Sequence, residues 1–145
     1  MIKGIYGLNI AVKDLEKAVR KYEDVFGVKA KILEEDKDFA FPGIKGVQLN
    51  INGVKINLIS PVDKDNALAN FIEKKGEGLY LISAEVDNIE EDMKVLKEKE
   101  MAFTFEKVQE GRFGKVAFVH PKLLNGVLLE VYQVSKFAKD RWGEE

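Results

Sequence analysis

The chain has 145 residues, of which 46% are hydrophobic and 10% aromatic, with 3 prolines, which suits one ordinary domain with its own core and not a disordered or collagen-like chain. Lys and Arg number 23 against 25 Asp and Glu, a formal net charge of -2 with both signs interspersed, so the basic footprint of nucleic-acid binding is missing. No cysteine is present, which excludes a disulfide framework, a thiolate nucleophile, an iron–sulfur cluster and a cysteine zinc site and fits a cytoplasmic location; no stretch approaches the roughly 20 apolar residues of a membrane span.

Residues 5–12, rich in Ile, Leu and Val, read as a strand. Asp14 is a good N-cap for a helix in which Leu15, Ala18, Val19, Tyr22, Val25 and Phe26 recur at helical spacing until Gly27 closes it. A further strand is expected near 28–33. Residues 47–51 and 54–60 then form two strands joined through Asn52-Gly53, a strong hairpin signal. Residues 68–74 read as a linker helix stopped by Gly76 and Gly78. The pattern then starts again: a strand at 79–86, an N-cap at Asn88, a helix carrying Ile89, Met93 and Leu96, and strands near 102–105, at 115–119 and at 127–134. Phe137, Ala138, Arg141 and Trp142 form a partly amphipathic tail that docks on its own module or on a partner subunit.

This second start is a true repeat. Residues 5–16 align with 79–90 at an offset of 74, keeping Tyr, Val and Glu, and 52–58 align with 125–131 at an offset of 73, both beginning Asn-Gly-Val. Two matches at nearly one spacing argue for a duplicated β-α-β-β-β module. The expected organisation is a single α+β domain over 1–145, with module one at 3–61, a linker helix within 62–78, module two at 79–134 and a C-terminal tail at 135–145.

With that pairing, and with Ile10-Ala11-Val12-Lys13-Asp14-Leu15-Glu16, Phe71-Ile72-Glu73-Lys74-Lys75-Gly76-Glu77-Gly78-Leu79 and Ala117-Phe118-Val119-His120-Pro121-Lys122, the chain resembles the vicinal oxygen chelate superfamily of glyoxalases, bleomycin resistance proteins and dioxygenases. Within it, the chain looks most like methylmalonyl-CoA epimerases and their glyoxalase-like relatives. The resemblance implies a curled mixed sheet around one cleft, a small-molecule ligand there and a homodimer. It also implies four metal ligands, His, Gln or Glu, His and Glu, one from each of four strands. Carried over residue by residue, those positions fall on Gly7, Asn57, Leu81 and Glu130, and the repeat agrees, because Gly7 and Leu81 are 74 apart and Asn57 and Glu130 are 73 apart. Gly7 and Leu81 have no side-chain donor and Asn57 offers a neutral amide, so no bound metal and no other cofactor is expected. The epimerases' proton-shuttling acid falls near Phe41-Pro42-Gly43, where no carboxylate stands.

Strand alternation puts Gly7, Asn9, Ala11, Gln48, Asn50, Lys55, Asn57, Ile59, Leu81, Ser83, Glu85, Leu128, Glu130 and Tyr132 on the cleft side, and Val47, Leu49, Ile51, Ile56, Leu58, Ile82, Ala84 and Leu129 under the helices. Neutral amides around a carboxylate can orient a polar ligand directly. The candidate ligand-binding residues are therefore Asn9, Gln48, Asn50, Asn57, Ser83, Glu85 and Tyr132, with Glu130 as the candidate catalytic acid. Two readings stand. The first is a glyoxalase-like small-molecule-binding protein with a degenerate, metal-free cleft. The second is a lyase or isomerase that abstracts a proton next to a carbonyl with Glu130 as base, with amides such as Asn57 or Gln48 steadying the enolate and a divalent metal loosely held. Plainer readings compete: Glu130 paired with Lys55 or solvated, His120 a turn residue before Pro121, and 34–38 a solvated loop. A purely structural dimerisation module leaves the amides unexplained.

Overall fold

The computed structural model describes residues Met1–Gly143. The chain forms two compact units, one of Gly7–Tyr80 and the other of Met1–Tyr6 with the residues from Leu81 onward. The elements run β1 (Ile2–Ala11), α1 (Leu15–Phe26), β2 (Lys31–Leu33), β3 (Ile44–Ile51), β4 (Val54–Pro61), α2 (Ala67–Lys75), β5 (Gly78–Val86), α3 (Ile89–Glu98), β6 (Gln109–Gly111), β7 (Gly114–Val119), β8 (Leu129–Val134) and α4 (Lys136–Asp140), with a 3-10 turn over Pro121–Leu124 before β8. The fold is α+β, two tandem β-α-β-β-β modules wired alike.

In the first unit the strands lie in the order β2-β3-β4-β1. β1 and β4 are parallel, from Gly7 opposite Lys55 to Ala11 opposite Ile59, while β2–β3 and β3–β4 are antiparallel. Parallel strands need a long crossover, and α1 provides it. Its Leu15, Ala18, Val19 and Tyr22 share one stripe and pack on Val12, Val47, Leu49, Ile56 and Leu58. Asp14 caps the helix by accepting from the Lys17 N–H, and Gly27 ends it in the left-handed region at φ 68, a conformation glycine adopts without penalty. The β3–β4 hairpin turns on Asn52 and Gly53 at φ 49 and 100, the positive pair a two-residue turn demands.

The second unit repeats the plan in the order β5-β8-β7-β6. β5 and β8 are parallel, β7 antiparallel to β8, and β6 antiparallel to β7. Ile89 and Met93 of α3, with Leu96, pack on Ala117, Val119 and Val131. Asn88 caps α3 by accepting from the Glu91 N–H.

Several boundaries differ from the sequence expectation. The strand expected at 102–105 is only an isolated bridge of Phe103 with Val119, and the strand in its place is β6. Its residues, Gln-Glu-Gly, carry no apolar alternation for a pattern to detect; it exists because Gly111 and Gly114 flank a tight turn over Arg112-Phe113 back into β7. The linker helix begins at Ala67, where Asn66 caps it, and ends at Gly76. It does more than connect. Its Leu68 joins Ala11 and Ile59, with Phe39, Ile44, Phe71, Ile72 and Tyr80 partly buried around them. Ala11 and Ile59 therefore do not line an open surface, as alternation alone implies; α2 covers them. The tail folds into α4, with Ala138 buried and the Phe137 ring beside the Arg112 and Arg141 guanidiniums at 4.4 and 5.6 Å. Residues 144 and 145 of that tail lie outside the described residues. No helix of the described residues is long and apolar enough to cross a membrane.

Because Asp14 and Asn88 close the same helix start in each module, Asp14→Ala and Asn88→Ala should each lower unfolding stability by about 1 kcal/mol, read by chemical denaturation, with far-UV circular dichroism otherwise native.

Candidate functional site

Five of the candidate residues, Asn9, Gln48, Asn57, Ser83 and Glu130, gather into one cluster in each unit, at the same ladder position. In the first unit, β4 places Asn57 between Gln48 of β3 and Asn9 of β1, each directly opposite it. The Gln48 Nε2 donates to the Asn57 Oδ1 at 2.9 Å, and the Asn57 Nδ2 donates to the Asn9 Oδ1 at 2.9 Å. Gln48 is buried, with 4% of its surface exposed, so the bond to Asn57 also meets the need of a desolvated amide. One step along the same side stand Ile59 and Ala11, sealed beneath α2, so the amide row ends against packed core. Lys31 of β2 lies opposite Gln48 and extends the row onto a fourth strand; sequence pattern missed it, because only the β2–β3 register brings it there.

In the second unit the matching pair is Ser83 and Glu130, opposite each other on β5 and β8. The Ser83 Oγ donates to the Glu130 Oε1 at 2.8 Å. Phe118 faces Glu130 from β7, and Phe118 and Ser83 are both buried. Glu130 keeps part of its surface exposed, yet this environment desolvates its carboxylate. Desolvation pushes the Glu130 acid up to about 7, against a smaller opposing pull from the Ser83 hydroxyl. The Lys55 Nζ reaches back to the Gly53 carbonyl at 3.1 Å.

The remaining candidates have structural occupations. The Asn50 Oδ1 accepts from the Gly53 N–H at 2.7 Å and secures the hairpin. Glu85 lies 3.9 Å from the Lys3 Nζ. The Tyr132 hydroxyl donates to the Phe113 carbonyl at 2.6 Å and holds the β6–β7 turn, while its ring meets Tyr6 edge-on at 4.9 Å. The His120 Nδ1 accepts from the Lys122 N–H and caps the 3-10 turn before β8. The 34–38 loop closes on itself, with the Asp38 carboxylate accepting from the Glu34 N–H.

The four positions matching the metal ligands can now be tested. A Cβ on Gly7 would lie 2.0 Å from the Lys55 carbonyl oxygen, so this backbone has no room for any side chain there, histidine included. Leu81 is buried at 3% exposure and has no donor atom. Asn57 already uses its oxygen and its nitrogen on neighbouring amides. Only Glu130 remains as a strong ligand, and among the described residues no three His, Cys, Asp or Glu side chains come together to hold an ion. The donor set does not fit a divalent metal.

Comparison with known proteins agrees with the wiring. The sequence profile of the Glyoxalase/Bleomycin resistance protein/Dioxygenase superfamily matches residues 8–118. The chain belongs to this superfamily. It is 37% identical to the mitochondrial methylmalonyl-CoA epimerase of Homo sapiens over 126 residues, covering 86% of this chain and 70% of that protein. It is 32% identical to the ethylmalonyl-CoA/methylmalonyl-CoA epimerase of Cereibacter sphaeroides over 139 residues, covering 92% of this chain and all of the other. The crystal structure of methylmalonyl-CoA epimerase from Mycobacterium tuberculosis superposes with a TM-score of 0.81 at 26% identity, covering 92% of this chain and 89% of that one. Members similar to this chain thus include methylmalonyl-CoA epimerases.

Two measurements test this geometry. Gly7→Ala should destabilise by more than about 2 kcal/mol, because its methyl group meets backbone that cannot yield without breaking the β1–β4 ladder. Glu130 binds its proton more tightly folded than unfolded, so stability should fall as pH rises from about 4.5 to about 7 and stay lowered above that, by at most about 3 kcal/mol. Glu130→Gln should flatten this slope, melting close to the parent at pH 5 and above it at pH 8.

Proposed function

We propose that this chain binds a small acyl ligand through its own hydrogen-bonding side chains, without a resident divalent ion. The observation that carries the reading is the closed Gly7 position, where a Cβ would meet the Lys55 carbonyl at 2.0 Å: a metal set cannot be restored there on this backbone. The amide row, whose neutral donors and acceptors can meet a ligand oxygen directly, supports a ligand with a polar oxygen. Kinship with proteins named for methylmalonyl-CoA supports an acyl thioester as the class to try first. A homodimer is the assembly state to test by light scattering, and a cytoplasmic location is to be tested by fractionation.

A second reading, proton abstraction next to a carbonyl, is favoured by one observation: a carboxyl held near neutrality is suited to take and return a proton at physiological pH. In it the Glu130 carboxylate takes the α-hydrogen as a proton, the C–H electron pair moves into the enolate, and the protonated acid returns a proton to the same carbon. Inversion needs a second acid on the opposite face, and the stretch matching the epimerases' acid reads Phe41-Pro42-Gly43. The chemistry expected of one acid is therefore exchange without inversion.

Both readings meet in one experiment. Propionyl-CoA and methylmalonyl-CoA should raise the melting temperature of the metal-stripped protein, and EDTA should not reverse the shift. Elemental analysis after dialysis against Mn²⁺, Co²⁺, Ni²⁺ and Zn²⁺ should find far less than one ion per chain; a stoichiometric ion sinks the metal-free reading. In D₂O, wild type should wash deuterium into the α-position with configuration retained and Glu130→Gln should not, as followed by NMR. Binding without exchange leaves ligand binding as the function.

A further inference from the structure

Resting on that reading, we infer that the Gln48–Asn57–Asn9 row is a directed relay of amides, whose last member, Asn9, presents its Nδ2 hydrogens to a carboxylate or carbonyl oxygen of the acyl ligand. A side-chain amide has a donor end and an acceptor end. Asn57 spends both, accepting from Gln48 and donating to Asn9. Asn9 thus has its oxygen occupied and its nitrogen pointing onward. Among the described residues no protein acceptor takes the Asn9 Nδ2 hydrogens, and no buried side-chain nitrogen or oxygen lacks a partner, so this nitrogen is not sealed inside the protein. It remains accessible as a donor.

Direction matters because hydrogen bonds in a chain polarise one another. Gln48, buried and fixed by β3, orders Asn57, and Asn57 orders Asn9. The end of the row therefore offers a donor whose orientation is set before a ligand arrives, and preorganised donors favour an oxygen that carries or gains negative charge. Gln48 and Asn57 are positioning residues here, and Asn9 is the one that touches the ligand.

The test is isothermal titration of the full chain with three probes: propionyl-CoA, which offers a thioester carbonyl; methylmalonate, which offers carboxylates; and coenzyme A as control. Asn9→Asp keeps the shape and still accepts from the Asn57 Nδ2, but turns an oxygen toward the ligand. It should melt within a few degrees of wild type and bind the preferred probe at least tenfold more weakly. Which probe wild type prefers separates carbonyl from carboxylate recognition. Asn57→Asp, which still accepts from Gln48 but no longer donates to Asn9, should weaken binding severalfold with Asn9 intact, and decides the matter if Asn9→Asp does not fold. Unchanged affinity in the variants overturns the relay and leaves the ligand-binding reading standing. Tighter binding by Asn9→Asp also overturns it, because the row would then run the other way. If wild type binds neither propionyl-CoA nor methylmalonate, the reading and this inference fall together.

Discussion

Parallel pairing of the first and last strands of each module is the constraint from which the rest follows. Two parallel neighbours cannot be joined by a tight turn, so the chain between β1 and β4 must leave the sheet, cover one side with α1 and return as a meander, and the chain between β5 and β8 does the same with α3. One side of each parallel pair is sealed by a helix and its apolar stripe. The other side is where polar side chains can stand, and they stand opposite one another.

That opposition explains the site. Asn9 faces Asn57, and at the corresponding step of the repeat Ser83 faces Glu130. Both pairs are joined by a side-chain hydrogen bond across the parallel ladder. A polar group on a partly buried sheet needs a partner, and duplication put a partner at the same place twice. The two pairs differ in chemistry. Amides satisfied by amides remain neutral donors and acceptors at all ordinary pH values, whereas desolvation pushes the carboxyl up toward neutrality against the opposing pull of its Ser83 hydroxyl partner. One duplicated ladder step thus yields a row of neutral amides in one unit and a desolvated carboxyl in the other.

Gly7 shows how tightly the backbone can restrict one position of the candidate site. Its backbone lies so close to the Lys55 carbonyl that a side chain has no place, and the neighbouring polar groups are already committed to each other. The approach of β1 to β4 makes this restriction a property of the backbone.

The repeat, the helix caps at Asp14 and Asn88, the Asn52-Gly53 hairpin and the α+β class were legible in the sequence, because each rests on local spacing or local backbone preference. Gly7, Asn57, Leu81 and Glu130 were legible too as the residues at the positions the family resemblance singles out. What the sequence could not give were facts of register and packing. Asn50 and Tyr132 carry the right chemistry on the right alternation, yet one is drawn to a turn amide and the other to the Phe113 carbonyl. Ala11 and Ile59 alternate correctly but lie beneath α2, a helix whose docking depends on Leu68 and Phe71 and not on any strand pattern. Alternation determines which side a residue faces; only the tertiary structure decided which partner each side chain meets there, because partners come from strands and helices far apart in the chain and are chosen by distance and burial rather than by spacing.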